Sequence, residues 1–220
     1  MSKSLKQMIR EDLGLVNEAY ITQPKKYDLP TELLSKKNKD DHQKLFAEVT
    51  DRLNKISTKL DTCNKENIDN LSSSFRSLKQ DEISNINSAY LHALYFENIS
   101  DMRSIITMDS LSFMRIERDF GNFDAWQKDF VACAMTSRNG WAVMVYNTML
   151  KRYINITIDS DNINIPIGSF PIIVLDMHEH AYFRDYLSDI KSYVFGMMKE
   201  FNWNIIEERI NKAERIAKII

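Results

Sequence analysis

The chain has four histidines, His42, His92, His178 and His180, and two of them share one short element. The run Asp176-Met177-His178-Glu179-His180-Ala181-Tyr182 follows a purely apolar stretch. A carboxylate and two imidazoles therefore emerge at a strand end, where a fixed backbone presents side chains to a site. Asp176 and His180 are placed there to converge on one ion. His42 lies one turn before Leu45 and Phe46 on an apolar helical stripe, and His92 precedes Tyr95, Phe96 and Ile99. Each of these two reads two ways, as a core histidine satisfied by its neighbours or as a ligand. Three neutral imidazoles and one carboxylate form a nitrogen and oxygen donor set. It suits Fe, Mn, Zn or Cu and not Ca or Mg. No Gly-rich phosphate loop, Ser-His-Asp ordering or nucleophilic cysteine setting competes with that chemistry.

The elements that must hold these residues differ between the two halves. Pro24 and Pro30 bracket an extended stretch, because proline disfavours helix at the residue before it. From Thr31 to Asp119 there is neither Gly nor Pro, which reads as long helices joined by polar turns. Ser35 is a candidate N-cap for the first helix, and Leu45, Val49, Leu53 and Ile56 give it one buried stripe. A turn region near 64–74 leads to a second helix over roughly 81–97, forming an antiparallel hairpin. Asp109–Phe120 and Phe123–Ser137 read as helices separated by Gly121. Trp141–Tyr146, Tyr153–Ile158 and Pro171–Asp176 read as strands, being rich in branched and aromatic residues. Two further helices are expected near 185–200 and 203–218. The fold class is α+β: a long N-terminal α-hairpin, then an α/β part with a small three-stranded antiparallel sheet. The expected division is an arm over 1–28, a hairpin domain over 29–100 and an α+β domain over 101–220.

At 44% hydrophobic and 10% aromatic, the 220 residues bury a sizeable core, which excludes global disorder. The 29 basic and 31 acidic residues leave a net charge of -2, against a whole-protein binder of phosphate backbones. No apolar run approaches the ~18–20 residues of a membrane span. Neither nucleic acid nor membrane is an expected partner. Cys63 and Cys133 are too few for a disulfide framework and read as reduced core thiols. The first residues contain no secretory h-region. Lys3–Leu13 is amphipathic and reads as a surface helix or an arm that docks on a partner.

The C-terminal half resembles the iron/manganese superoxide dismutases. The resemblance is carried by Phe120-Gly121-Asn122-Phe123, Asn139-Gly140-Trp141-Ala142 and Pro171-Ile172-Ile173-Val174-Leu175-Asp176. It continues through Glu179-His180-Ala181-Tyr182-Phe183-Arg184-Asp185-Tyr186 to Phe201-Asn202-Trp203. The family's D-x-W-E-H-A-Y block is kept except for its Trp, which is His178. The first half is consistent, with His42 in a first long helix, Asn54 near that helix's end, and His92 in the second. The resemblance implies His42, His92, Asp176 and His180 as ligands of one Fe or Mn ion. It implies superoxide as substrate, dismuted to dioxygen and hydrogen peroxide. It also implies a homodimer in which Glu179 and Tyr182 cross the two-fold interface to the partner's ligand histidines.

Around that ligand set the pattern changes. The family's outer Gln or His has two alternative sources, which fall here at Ser88 and at the loop near Ser160-Asp161-Asn162-Ile163. Neither holds Gln or His, and Asp161 or Asn162 is the available substitute. The gateway Tyr falls at Val49. Trp141 remains, and with Asp161 and His178 it completes the expected catalytic surroundings. Two readings follow. One is a divergent dismutase, an oxidoreductase expected in the cytoplasm. The other is a structural protein that uses the dimeric fold within a larger assembly, of virion or mitochondrial ribosome type, contacted through residues 1–28.

Overall fold

The computed structural model describes residues 23–66, 68–101 and 103–219. The reading of Lys3–Leu13 as a docking arm lies outside these residues. The arm assigned to 1–28 does not stay free at its end. Tyr27 is buried beside Phe46 and Phe96, and its backbone N–H donates to Gln43.

Two long helices open the described chain, α1 (Lys36–Thr62) and α2 (Ser73–Asn98). Ser35 caps α1 by accepting from the Asn38 N–H, as its type predicts. The α1 face that turns inward is Asn38, His42, Phe46, Val49 and Thr50, a three-to-four-residue repeat that seats His42 against α2. The second helix begins at Ser73, well before the expected 81. Nothing in the polar stretch 73–80 breaks a helix, and polar residues there face water.

Helices α3 (Leu111–Phe120) and α4 (Phe123–Thr136) meet at Gly121, whose φ of 88° suits glycine. Asn122 then caps α4 through Ala125 N–H. Strands β1 (Gly140–Asn147), β2 (Arg152–Asp159) and β3 (Ser169–Asp176) form one antiparallel sheet in the order β2-β1-β3. The central strand is buried along its whole length, which explains its unbroken apolar run in place of alternation. Gly140 is required there, because a Cβ would stand 2.0 Å from the Ile158 carbonyl oxygen. Pro171 lies on the outer strand β3, where the pairing with β1 shifts register, a position that tolerates a missing N–H.

One expectation needs correction. The helix placed at 185–200 is two helices, α5 (Glu179–Tyr186) and α6 (Ile190–Lys199). Leu187 turns the chain at φ 51°, and Asp189 starts α6 by accepting from Ser192 N–H. The last helix is α7 (Trp203–Ala217). Helices α2 and α7 both pack on β3, and one hydrophobic cluster runs through hairpin and sheet. Cys63 and Cys133 are free thiols, half-buried and not in the deep core. Among the described residues no helix is long and apolar enough to cross a membrane.

Candidate metal centre

Four elements each deliver one side chain to a single point. His42 comes from α1, His92 from α2, Asp176 from the end of β3 and His180 from the first turn of α5. One ligating atom from each lies within 4.8 Å of the others. Asp176 Oδ2 stands 3.1 Å from His42 Nε2, 3.1 Å from His180 Nε2 and 3.7 Å from His92 Nε2. His42, His92 and Asp176 are buried, and His180 is on the open side.

The two buried imidazoles are aimed and unsatisfied. The Nε2 atoms of His42 and His92 are buried with no hydrogen bond of acceptable geometry, although each faces the Asp176 carboxylate. Buried polar atoms without partners are rare in a finished core. A cation between them would accept both lone pairs. On the other side of the His92 ring, Nδ1 lies 2.7 Å from the Ser88 carbonyl oxygen. A carbonyl only accepts, so Nδ1 carries the hydrogen and Nε2 presents its lone pair.

Charge is arranged to match. Burial pushes His92 down to about 3, despite the opposing pull of Asp176, and lowers His42 as well. Both rings are therefore neutral at ordinary pH, the form in which an imidazole can ligate. Burial acts to raise Asp176, but the charges of His180 and His178 and their hydrogen bonds hold it well below the usual carboxylate range. The donor set is three imidazoles and one carboxylate, the composition that suits a borderline transition-metal ion. The residues fit an iron or manganese ion.

His178 and Trp141 wall the site. Trp141 pairs with Asp176 across β1 and β3, and its ring meets the His92 ring edge-on at 4.8 Å. Its indole N–H donates to Asp161 Oδ1 at 2.6 Å. His178 lies 5.3 Å from Trp141 and stacks on His180 at 5.0 Å. Burial lowers His178, but the Asp176 charge and hydrogen bond, with Asp161 adding to them, outweigh it and raise its pKa. All three expected surrounding residues thus come together.

Asn38 and Asn87 were not singled out from sequence. Asn38 donates to the Ala181 carbonyl and to Asp185, clamping α1 to α5 one turn before His42. The signal was its place on the histidine's own stripe. Asn87 donates to the Asp161 carbonyl and to Asn162, tying α2 to the β2–β3 loop. Only the folded chain makes it a neighbour of that loop.

Residues 110–209 match the family described as iron/manganese superoxide dismutases, C-terminal domain. An iron superoxide dismutase of Cupriavidus metallidurans is 34% identical over 140 residues, covering 63% of this chain and 69% of that protein. One from Aquifex pyrophilus is 33% identical over 141 residues, 64% of this chain and 65% of the relative. A manganese superoxide dismutase of Haloarcula marismortui is 32% identical over 124 residues, 56% of this chain and 60% of the relative. The chain belongs to the iron/manganese superoxide dismutase family. It spans about two thirds of the length of the relatives it matches. The matched C-terminal block holds Asp176 and His180, and the hairpin contributes the other two imidazoles.

From solvent, this family member's centre is reached through an open cleft of about 810 Å³ that touches His42 and His180. Lys44 and Arg184 line it together with Asp41, Glu48 and Phe183. Glu179 sits at the rim, exposed, and Tyr182 is buried against Tyr193. Val49 is buried in the core. The Ser88 hydroxyl reaches no further than His92 Nδ1, at 3.5 Å.

Proposed function

We propose that the protein is a superoxide dismutase holding one iron or manganese ion per chain through His42, His92, Asp176 and His180. The observation that carries this reading is the pair of orphaned, buried Nε2 atoms facing one carboxylate oxygen. Bound there, the metal supplies a one-electron couple that oxidises one superoxide to dioxygen and reduces another, which takes up two protons to become hydrogen peroxide. Asp176 contributes the set's single negative charge, so the loaded site is net positive and draws an anion. His92 is locked by Ser88 in the tautomer that ligates. Trp141 and His178 keep the inner wall dry, and the cleft beside His180 leaves one side open to a small substrate. Asp161, held by Trp141, is the polar group nearest that wall and takes the outer position.

We further infer an isologous homodimer with Glu179 and Tyr182 at its axis. Phe183 on their helix and Leu187 just past its end are 53% and 62% exposed, an apolar surface contiguous with the cleft. The structural-subunit alternative rests on residues 1–28, most of which lie outside the described residues, and no observation favours it.

The test is metal analysis of the purified protein alongside a dismutation assay. One Fe or Mn per chain with turnover is expected. His180→Ala is expected to lose both. A variant that kept stoichiometric metal would overturn the ligand assignment.

A further inference from the structure

A groove between α1 and α2 leaves apolar side chains open to solvent. Its volume is about 510 Å³. Leu53 of α1 and Ile86, Ala89 and Tyr90 of α2 form its walls, and Ile86 and Tyr90 are 43% and 53% exposed. Along α1 it runs from Phe46 to Ser57, about 16 Å at 1.5 Å per residue. Phe46 also stacks at 6.3 Å on the His92 ring, so the groove backs directly onto a candidate ligand. A contiguous apolar face of this kind calls for a covering partner.

The chain itself leads into this groove. Gln23, Lys25 and Tyr27 line it, and Tyr27 pins their segment there, buried beside Phe46 and Phe96. Residues 1–22, which join at Gln23, lie outside the described residues. Their sequence carries a matching apolar stripe: Leu5, Met8, Ile9 and Leu13 fall at i, i+3, i+4 and i+8. Ser4-Leu5-Lys6-Gln7 has the capping-box pattern, and Gly14 suits a helix stop. A helix from Leu5 to Leu13 is about 12 Å long, within the length of the groove. Asp12 shares the apolar face at i+7, and Lys25, whose ammonium lies 5.0 Å over the Tyr27 ring, pairs with no carboxylate among the described residues. Residues 14–22 span at most about 30 Å when extended, enough to return the chain to Gln23.

We propose that residues 5–13 of the same chain form a helix that seats Leu5, Met8, Ile9 and Leu13 in the α1–α2 groove, with Asp12 beside Lys25. It is an intramolecular strap over the hairpin that carries His42 and His92. Tethering favours this occupant over a second copy or a free partner. A segment joined at the groove's own rim acts at an effective concentration of about millimolar, which a separate molecule must exceed. The strap stands independently of the reading of the metal centre.

The experiment places a photo-crosslinking side chain at Met8 of the full chain and follows hydrogen exchange of α2 over 82–93. Crosslinks from Met8 to residues 46–57 or 82–93 are expected, in species that keep the mass of one chain under denaturing conditions. Ile9→Asp puts a charge in the apolar stripe. It is expected to abolish those crosslinks and to speed exchange over 82–93 severalfold as the strap leaves. Gln7→Asp introduces the same group on the opposite face and is expected to change neither. Absence of groove crosslinks in the otherwise unaltered chain overturns the proposal, as does exchange unmoved by Ile9→Asp or moved equally by both substitutions. Groove crosslinks confined to species of two-chain mass overturn it in favour of a second copy.

Discussion

His178 takes one oxygen of Asp176 twice, through its backbone N–H at 2.8 Å and its ring Nδ1 at 2.7 Å, and leaves the other oxygen to the three facing imidazoles. The carboxylate is thereby divided. Oδ1 is saturated by a neighbour two residues away, and Oδ2 is reserved for the site. Because a carboxylate only accepts, Nδ1 of His178 carries a hydrogen. The His178 ring therefore orients the candidate ligand Asp176, a positioning role that needs no direct contact with a metal.

Activity is expected to sit below that of relatives with Gln in the outer position. Val49 donates nothing, and the short Ser88 side chain places its hydroxyl 3.5 Å from His92 Nδ1. Loss of such outer partners costs about 10–100-fold in affinity or activity. Ser88→Gln and Val49→Tyr, made separately and together, are expected to raise dismutation per bound metal. A wild type already at the diffusion ceiling and indifferent to both changes would count against the expectation.

Acid is expected to destabilise the metal-free protein across a defined window. Burial lowers His92 from 6.5 to about 3 and lowers His42 in the same direction. The unfolded chain therefore binds more protons than the folded one between those values, and stability falls as pH drops through the window. Asp176 acts in the same sense at lower pH, since its depressed value favours the folded state above the ordinary carboxylate range. His178 works oppositely: its raised value contributes stability below the ordinary imidazole range, lost as pH rises through the folded value. Below about pH 6.5 the His178 contribution is complete and constant, so the lowered imidazoles set the slope in this window. Thermal unfolding by circular dichroism should show Tm declining from about pH 6.5 downward. A flat profile would mean that these rings are not buried neutral.

Association is testable without substrate. Light scattering at micromolar concentration is expected to give a dimer, and Leu187→Asp, in the exposed apolar turn that follows α5, to give a monomer that still binds metal. A wild-type monomer fully loaded with metal would refute the proposed axis at Glu179 and Tyr182.

Arg209 is expected to govern stability. Its guanidinium is buried and donates to Asn98 Oδ1, to the Ile172 and Leu94 carbonyls and to Glu97. Arg209→Ala leaves those acceptors facing a void. A loss of about 3–5 kcal/mol is expected from denaturant unfolding. A loss below about 1 kcal/mol would mean that water replaces the guanidinium freely.

The sequence by itself determined the element types and the chemistry on offer. Local signals were sufficient for the cap at Ser35, the break at Gly121 and the three branched, aromatic strands, since each acts within a few residues of its cause. The donor types at 176–180 were legible for the same reason. The break at Leu187 was not, because a leucine carries no signal for positive φ and the turn is held by what surrounds it. For His42 and His92 the residues alone favoured a core histidine over a ligand. Only the tertiary structure places their Nε2 atoms beside Asp176, on helices 134 and 84 residues away along the chain. The same holds for Asp161: its bond to Trp141, its anchor at Asn87 and its approach to His178 join three elements that no local pattern relates. Periodicity is a property of one segment, whereas a site is a meeting of several, decided by how the hairpin packs against the sheet.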